Sequence, residues 1–169
     1  MGRKQTVLLG SSLLLNAFLI ILLVIGYVKM NLVHEELFYS EVQSKLVELD
    51  GLIEHQKNNN WSEPNLVTSQ LGDVLNGIDA AMNSGKYSGW LQNDERMMME
   101  RLDAVLRQYP HDELYQFSVL TESDKDSFED LQSYLQKAGF GMNMTISNDW
   151  KAFIGKSEKL LNLLQQTNS

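Results

Sequence analysis

The chain reads as an all-α protein, an N-terminal transmembrane helix followed by an extracytoplasmic helical bundle of about four main helices plus a short one. Three observations predict this. Residues 7–28 carry no charge. Five later segments space their apolar residues by three and four, the period that lines one face of a helix. No segment shows the sustained apolar–polar alternation of a half-buried strand.

The uncharged run is built from Val7, Leu13, Leu14, Leu15, Phe18, Leu19 and Ile20, continued by Ile21, Leu22, Leu23, Val24, Ile25 and Val28. At about 1.5 Å per residue it reaches roughly 33 Å, enough for a hydrocarbon core of about 30 Å. It has no polar stripe, which a core helix of a soluble protein would carry. A cleaved signal peptide has a shorter apolar stretch and ends on small residues. Here the nearest such site, Val24-Ile25-Gly26, is poor, so the segment is expected to stay as an anchor.

Arg3 and Lys4 precede the run and Lys29 follows it, with Glu35 and Glu36 beyond. The positive-inside rule then makes Arg3 and Lys4 the topology determinants. The expected division is a cytoplasmic tail over 1–6, a signal-anchor helix over 7–28 and an acidic domain over 29–169. Asn16 is read as a tolerated polar residue, although it and Gly10 to Ser12 could serve a helix pair. Met1-Gly2 with Thr6 fits the bare myristoylation pattern, which a spanning helix makes redundant.

Beyond the anchor, Tyr39, Val42, Leu46, Leu49 and Ile53 share one helical face, and the polar run 57–60 ends that helix. Ser62 is the expected cap of a second helix over 66–83, with Val67, Leu71, Val74, Ile78 and Met82 facing inward despite Gly72 and Gly77. A third covers 90–108 with Leu91, Met98, Leu102, Val105 and Tyr109 on its seam, and Pro110 stops it. Residues 111–120 suggest a short crossing helix. Thr121 or Ser123 caps a fourth helix through Ala138 that buries Phe128, Leu131 and Leu135, and Gly139 closes it. Ser147 caps the last, over 148–166, burying Trp150, Phe153 or Ile154, Leu160, Leu161 and Leu164.

Composition narrows the function classes. Asp and Glu total 22 against 14 Lys and Arg, and three of those bases (Arg3, Lys4, Lys29) precede every acid, so the domain is more acidic than the net charge of -8 suggests. Phosphate backbones would be repelled, and nucleic acid is not an expected partner. With no cysteine, disulfides, thiolate nucleophiles and cysteine metal sites are excluded.

Candidate chemistry is sparse. His34, His55 and His111 lie apart and lack a zinc-helix spacing; His34, beside Glu35 and Glu36, is expected on a solvated face. Asp124, Asp126, Glu129 and Asp130 fail the calcium-loop pattern and fit a helix start, where free N–H groups favour acids. Met98 is expected to fill core, with Met97 and Met99 at its margins. The sequons at Asn60 and Asn143 are about as frequent as chance provides. There is no nucleophile elbow and no phosphate-binding glycine loop.

The expectation is therefore a non-catalytic module, without cofactor or metal, whose partners are the lipid bilayer and a protein of the membrane or envelope. The alternative from another class is a bundle binding a small molecule near Trp90, Tyr109, Phe128 or Trp150. An envelope hydrolase is the weakest reading, for want of an activated nucleophile or acid-base pair.

Overall fold

The computed structural model describes residues 3–113, 116–143 and 149–167, with side chains from residue 8 to residue 166. The protein is all-helical, with a long apolar helix at its N-terminus and a helical bundle after it. The helices are α1 (Arg3–Phe38), α2 (Ser44–Asn58), α3 (Asn65–Ser88), α4 (Asn93–Leu106), α5 (Glu122–Ala138) and α6 (Trp150–Thr167), with a π-helical turn, Tyr39–Gln43, joining α1 to α2. The chain divides into two compact units, Met1–Val33 and His34–Ser169.

In the first unit, α1 is long and apolar enough to cross a membrane, with a mean hydropathy of 2.6 in its most apolar window and none of that window buried by protein. Leu13, Leu14 and Leu23 are each 73% exposed, and the other described large apolar side chains of residues 8–28 are exposed as well. Ser11 donates to the Leu8 carbonyl at 3.0 Å, satisfying its hydroxyl within the helix. The side chains of Arg3, Lys4 and Val7 lie outside the described residues.

The second unit is organised by the seams. Val42, Leu46, Leu49 and Ile53 are fully buried, opposite Val67, Leu71, Val74 and Ile78 from α3. Met99, Leu102 and Leu106 of α4, Phe128, Leu131 and Leu135 of α5, and Phe153, Leu160, Leu161 and Leu164 of α6 join them in the core. Burying such side chains stabilises by roughly 1.5–3 kcal/mol each, and this unit has no disulfide to supplement it.

Two glycines that weaken α3 by propensity are required by packing. A Cβ on Gly77 would run into the Glu41 carbonyl of the π-helical turn, and one on Gly72 would sit 2.6 Å from the Asp112 carbonyl oxygen. Backbones meet at both places.

Helix ends differ from the sequence expectation for identifiable reasons. Ser62 does not cap α3; the Glu63 N–H donates instead to the buried Gln56 side chain at 2.9 Å, and Pro64 begins the helix without a side-chain cap. Helix α3 passes Gly85, buried against Leu91, and stops at left-handed Gly89 (φ 68°). Helix α4 starts later than expected because Gln92 and Glu95 form a capping box. Thr121 and Asp124 do the same for α5, and Gly139 (φ 102°) closes it.

At α6, the Asp149 carboxylate accepts from the Ala152 N–H at 3.0 Å, while Ser147, the expected cap, lies outside the described residues. Before α6, the Asp50 carboxylate of α2, 1% exposed, accepts from the Met142 N–H at 2.9 Å. That bond ties the α5–α6 connection to the core.

Candidate functional site

The three histidines fall in separate surroundings. His34 corrects the sequence expectation. It is 3% exposed and stacks on Trp90 with ring centroids 5.3 Å apart, because α3 and the connection after it carry Ser84 and Trp90 over it. The Ser84 hydroxyl lies 3.2 Å from its Nδ1, while Nε2 has no partner. His55 meets the Asn59 side chain on exposed α2. His111 Nδ1 donates to the Tyr109 carbonyl at 2.8 Å. Among the described residues no three His, Asp or Glu side chains form a metal-binding group.

Three of the acids at residues 122–130, namely Glu122, Asp124 and Glu129, have structural partners. Thr121 donates through both its hydroxyl and its N–H to Asp124, at 2.6 and 2.8 Å, and these bonds hold the Asp124 carboxyl below its ordinary range. Glu122 pairs with Lys125 at 2.6 Å. Glu129 accepts from Lys57 at 2.6 Å and from the Trp61 indole at 3.5 Å, and the Lys57 bond is the main cause of its lowered pKa.

The four aromatics of the ligand-binding alternative separate into two clusters. Trp90 and Trp150 pack together (4.5 Å), with Phe38 4.7 Å from Trp150, and the Trp150 indole donates to Glu95 at 2.9 Å. Tyr109 and Phe128 pack elsewhere, 5.7 Å apart, with Trp61 on Phe128. Tyr109 also lines an open pocket of about 220 Å³ with Asp124, Ser127, Asp130 and Tyr134. Burial, then Tyr134 and Asp130, pushes its phenol up to about 12. As for the methionines, Met98 and Met99 are both buried and Met97 is 44% exposed beside an open groove between α4 and α6.

The feature that sequence reasoning missed is the connection from α4 to α5. Residues 111–120, expected as a short helix, form none among the described positions. Asp112 is responsible. Its N–H donates to the Thr68 carbonyl (3.1 Å), and its carboxylate accepts from the Ser69 hydroxyl (3.0 Å) and the Ser118 N–H (2.9 Å). The Ser118 hydroxyl donates to the His111 carbonyl at 2.6 Å, and Glu113 and Gln116 exchange both backbone hydrogen bonds at 3.0 Å. Partners outside the segment and across it thus replace those a helix would supply.

Pinned in this way, residues 117–120 run without helix, turn or bend. Ser118 and Leu120 are half-buried, whereas Phe117 and Val119 are 77% and 89% exposed. Phe117 borders a groove of about 580 Å³ shared with Ser69, Gly72, Asp73 and Arg107. Arg107 is held by Asp103 (2.7 Å) and Asp79 (2.8 Å), and its pKa is raised, chiefly by the Asp103 hydrogen bond. The signal was present in the sequence as the apolar–polar–apolar triplet Phe117-Ser118-Val119, too short to separate from a loop.

The Ser84 hydroxyl sits beside the His34 imidazole, which is 3% exposed under Trp90; the 111–120 connection is a separate surface. What it offers chemically is a fixed apolar ridge next to an open groove. No protein-family model, no curated protein and no solved structure matches the chain.

Proposed function

We propose that this is a membrane-anchored, non-catalytic protein whose helical domain lies on the extracytoplasmic side and binds another protein of the membrane or envelope. The observation that carries the reading is the uncovered apolar surface of α1, with a mean hydropathy of 2.6 and no burial. In water such a surface would be costly, whereas in a bilayer its side chains are solvated and the helix satisfies its own backbone groups. Arg3 and Lys4 on the N-terminal side support a cytoplasmic N-terminus.

Asp50, Gln56, Asp112 and Thr121 serve interhelical ties, turns and a helix cap, which supports binding over catalysis. For a small-molecule ligand, the Tyr109 pocket, at about 220 Å³, falls below the roughly 300–1,000 Å³ of common ligand sites, whereas the open groove of about 580 Å³ beside Phe117 lies within that range. The test is crosslinking in intact membranes, followed by solubilisation and affinity capture of the full chain. The expected result is one protein recovered in constant proportion. Recovery of the chain alone across crosslinkers of different reach would overturn the proposal.

A further inference from the structure

We propose that residues 117–120 are a docking edge that takes an extended, basic segment of the partner protein as an added β-strand, an inference that rests on the binding role proposed above. Three independent features of the segment converge on this. The first is its free backbone. Neither Phe117 nor Val119 has a hydrogen-bond partner through its main chain, whereas the N–H of Ser118 between them is consumed inward by Asp112. In an unbent, non-helical stretch the peptide groups of alternate residues face one side. The N–H and C=O groups of 117 and 119 therefore form one unpaired edge, the template that strand addition uses.

The second feature is the side chains. Phe117 and Val119 stand in solvent at 77% and 89% exposure, while Leu120 packs against the core and Ser118 is hydrogen-bonded at both its N–H and its hydroxyl. Phe and Val favour strands, and both occupy the exposed positions of the stretch. The Asp112 bonds to Thr68 and Ser69 hold the segment on α3 before any partner arrives, which lowers the ordering cost of binding.

The third is charge. No Lys or Arg occurs between Arg107 and Lys125, while Asp112 and Glu113 precede the ridge and Glu122 and Asp124 follow it. Two copies paired about this ridge would bring together two segments that have acids and no base between Arg107 and Lys125, a like-charge arrangement that disfavours self-association. A strand with apolar residues at alternate positions and Lys or Arg at both ends meets the apolar ridge and the acidic flanks together. The acidic rim also directs encounter with such a segment.

The probe is a short peptide of alternating Val, Thr and Phe bracketed by lysine pairs, titrated by fluorescence anisotropy against the full chain in lipid nanodiscs. N-methylation blocks the backbone N–H groups of one peptide edge at a time. Methylation in one alternation should weaken binding about tenfold or more and in the other alternation should not, since one edge alone pairs. Exchanging the lysines for glutamates should abolish binding, and added salt should weaken the parent peptide. Equal binding by both methylated forms would overturn strand addition, as would undiminished binding by the glutamate peptide for the charge argument.

In the chain, Val119→Pro should lose binding while Val119→Ala keeps most of it, with helicity by circular dichroism unchanged in both. Dimers in nanodiscs that Val119→Pro dissociates would mean that the edge takes a second copy, contradicting the proposal. The two readings fail separately. A captured partner together with no peptide binding removes this edge and leaves the binding role, whereas peptide binding by a chain found outside membranes removes the anchor and leaves the edge.

Discussion

Residues 8–33 and 34–58 are consecutive helical stretches with opposite fates, apolar at 19 of 26 positions in the first and at 9 of 25 in the second. In the first stretch the leucines and isoleucines face no protein at all, and in the second Leu46, Leu49 and Ile53 are fully buried. The difference lies in the number and the arrangement of polar residues. Residues 34–58 interrupt their apolar side chains with Glu41, Lys45, Glu48 and Glu54 on the outer face, with Glu41 and Lys45 paired at 2.8 Å. Residues 8–28 have no charged face to turn outward. An apolar stripe implies a protein core, whereas apolar residues all round imply a different solvent.

The comparison can be broken most sharply by truncating one leucine in each stretch. Leu49→Ala should destabilise the domain by about 2–5 kcal/mol, through lost burial and the cavity left behind. Leu19→Ala should change it by less than about 0.5 kcal/mol. Urea unfolding of the full chain in nanodiscs, followed by tryptophan fluorescence, measures both, and equal losses would erase the distinction.

Glycines sharpen the same contrast. Gly77→Ala should cost about 1–3 kcal/mol, because the Glu41 backbone cannot move aside as a flexible side chain would. Gly10→Ala, with nothing within 4 Å of the added carbon, should leave domain stability unchanged in the same assay.

Within the domain, Thr121→Ala should cost about 1 kcal/mol by removing the α5 capping box. Because that box lowers the Asp124 pKa in the folded state, its share of stability is present above the ordinary carboxyl value near 3.8 and disappears as pH falls through the folded value. The gap between wild type and Thr121→Ala should therefore narrow in acid and be constant near neutrality.

Tyr109→Phe is the smallest effect at neutral pH. Its phenol is raised from 10.0 to about 12, so the wild type should lose stability as pH rises from 10 to 12, and the variant should lose less. Ultraviolet titration should show the last-ionising phenolate missing from Tyr109→Phe.

Much of the architecture was legible in the sequence because it rests on local pattern. The seam Val42, Leu46, Leu49, Ile53, the Thr121 cap and the Gly139 stop all depend on residues within a turn or two of one another. What escaped depends on remote partners. Gly72 and Gly77 appear as helix defects until the Asp112 and Glu41 carbonyls arrive. His34 appears solvated until Trp90 covers it. The ridge at Phe117 and Val119 needed Asp112 to bridge Thr68, Ser69 and Ser118, and no spacing rule announces that set of bonds. Met99 was placed at a margin and is buried, since α4 starts three residues later than its apolar pattern suggests and presents a broader face.

The most direct test of the two-solvent account is the intact mass of the chain recovered from membranes that have been washed at alkaline pH and floated on a density gradient. Flotation separates integral protein from aggregates, and the mass reports whether the apolar segment is still attached. The account predicts a floating chain of about 19.3 kDa that retains residues 7–28. A chain absent from the floated lipid, or one whose mass begins at Tyr27, would contradict it.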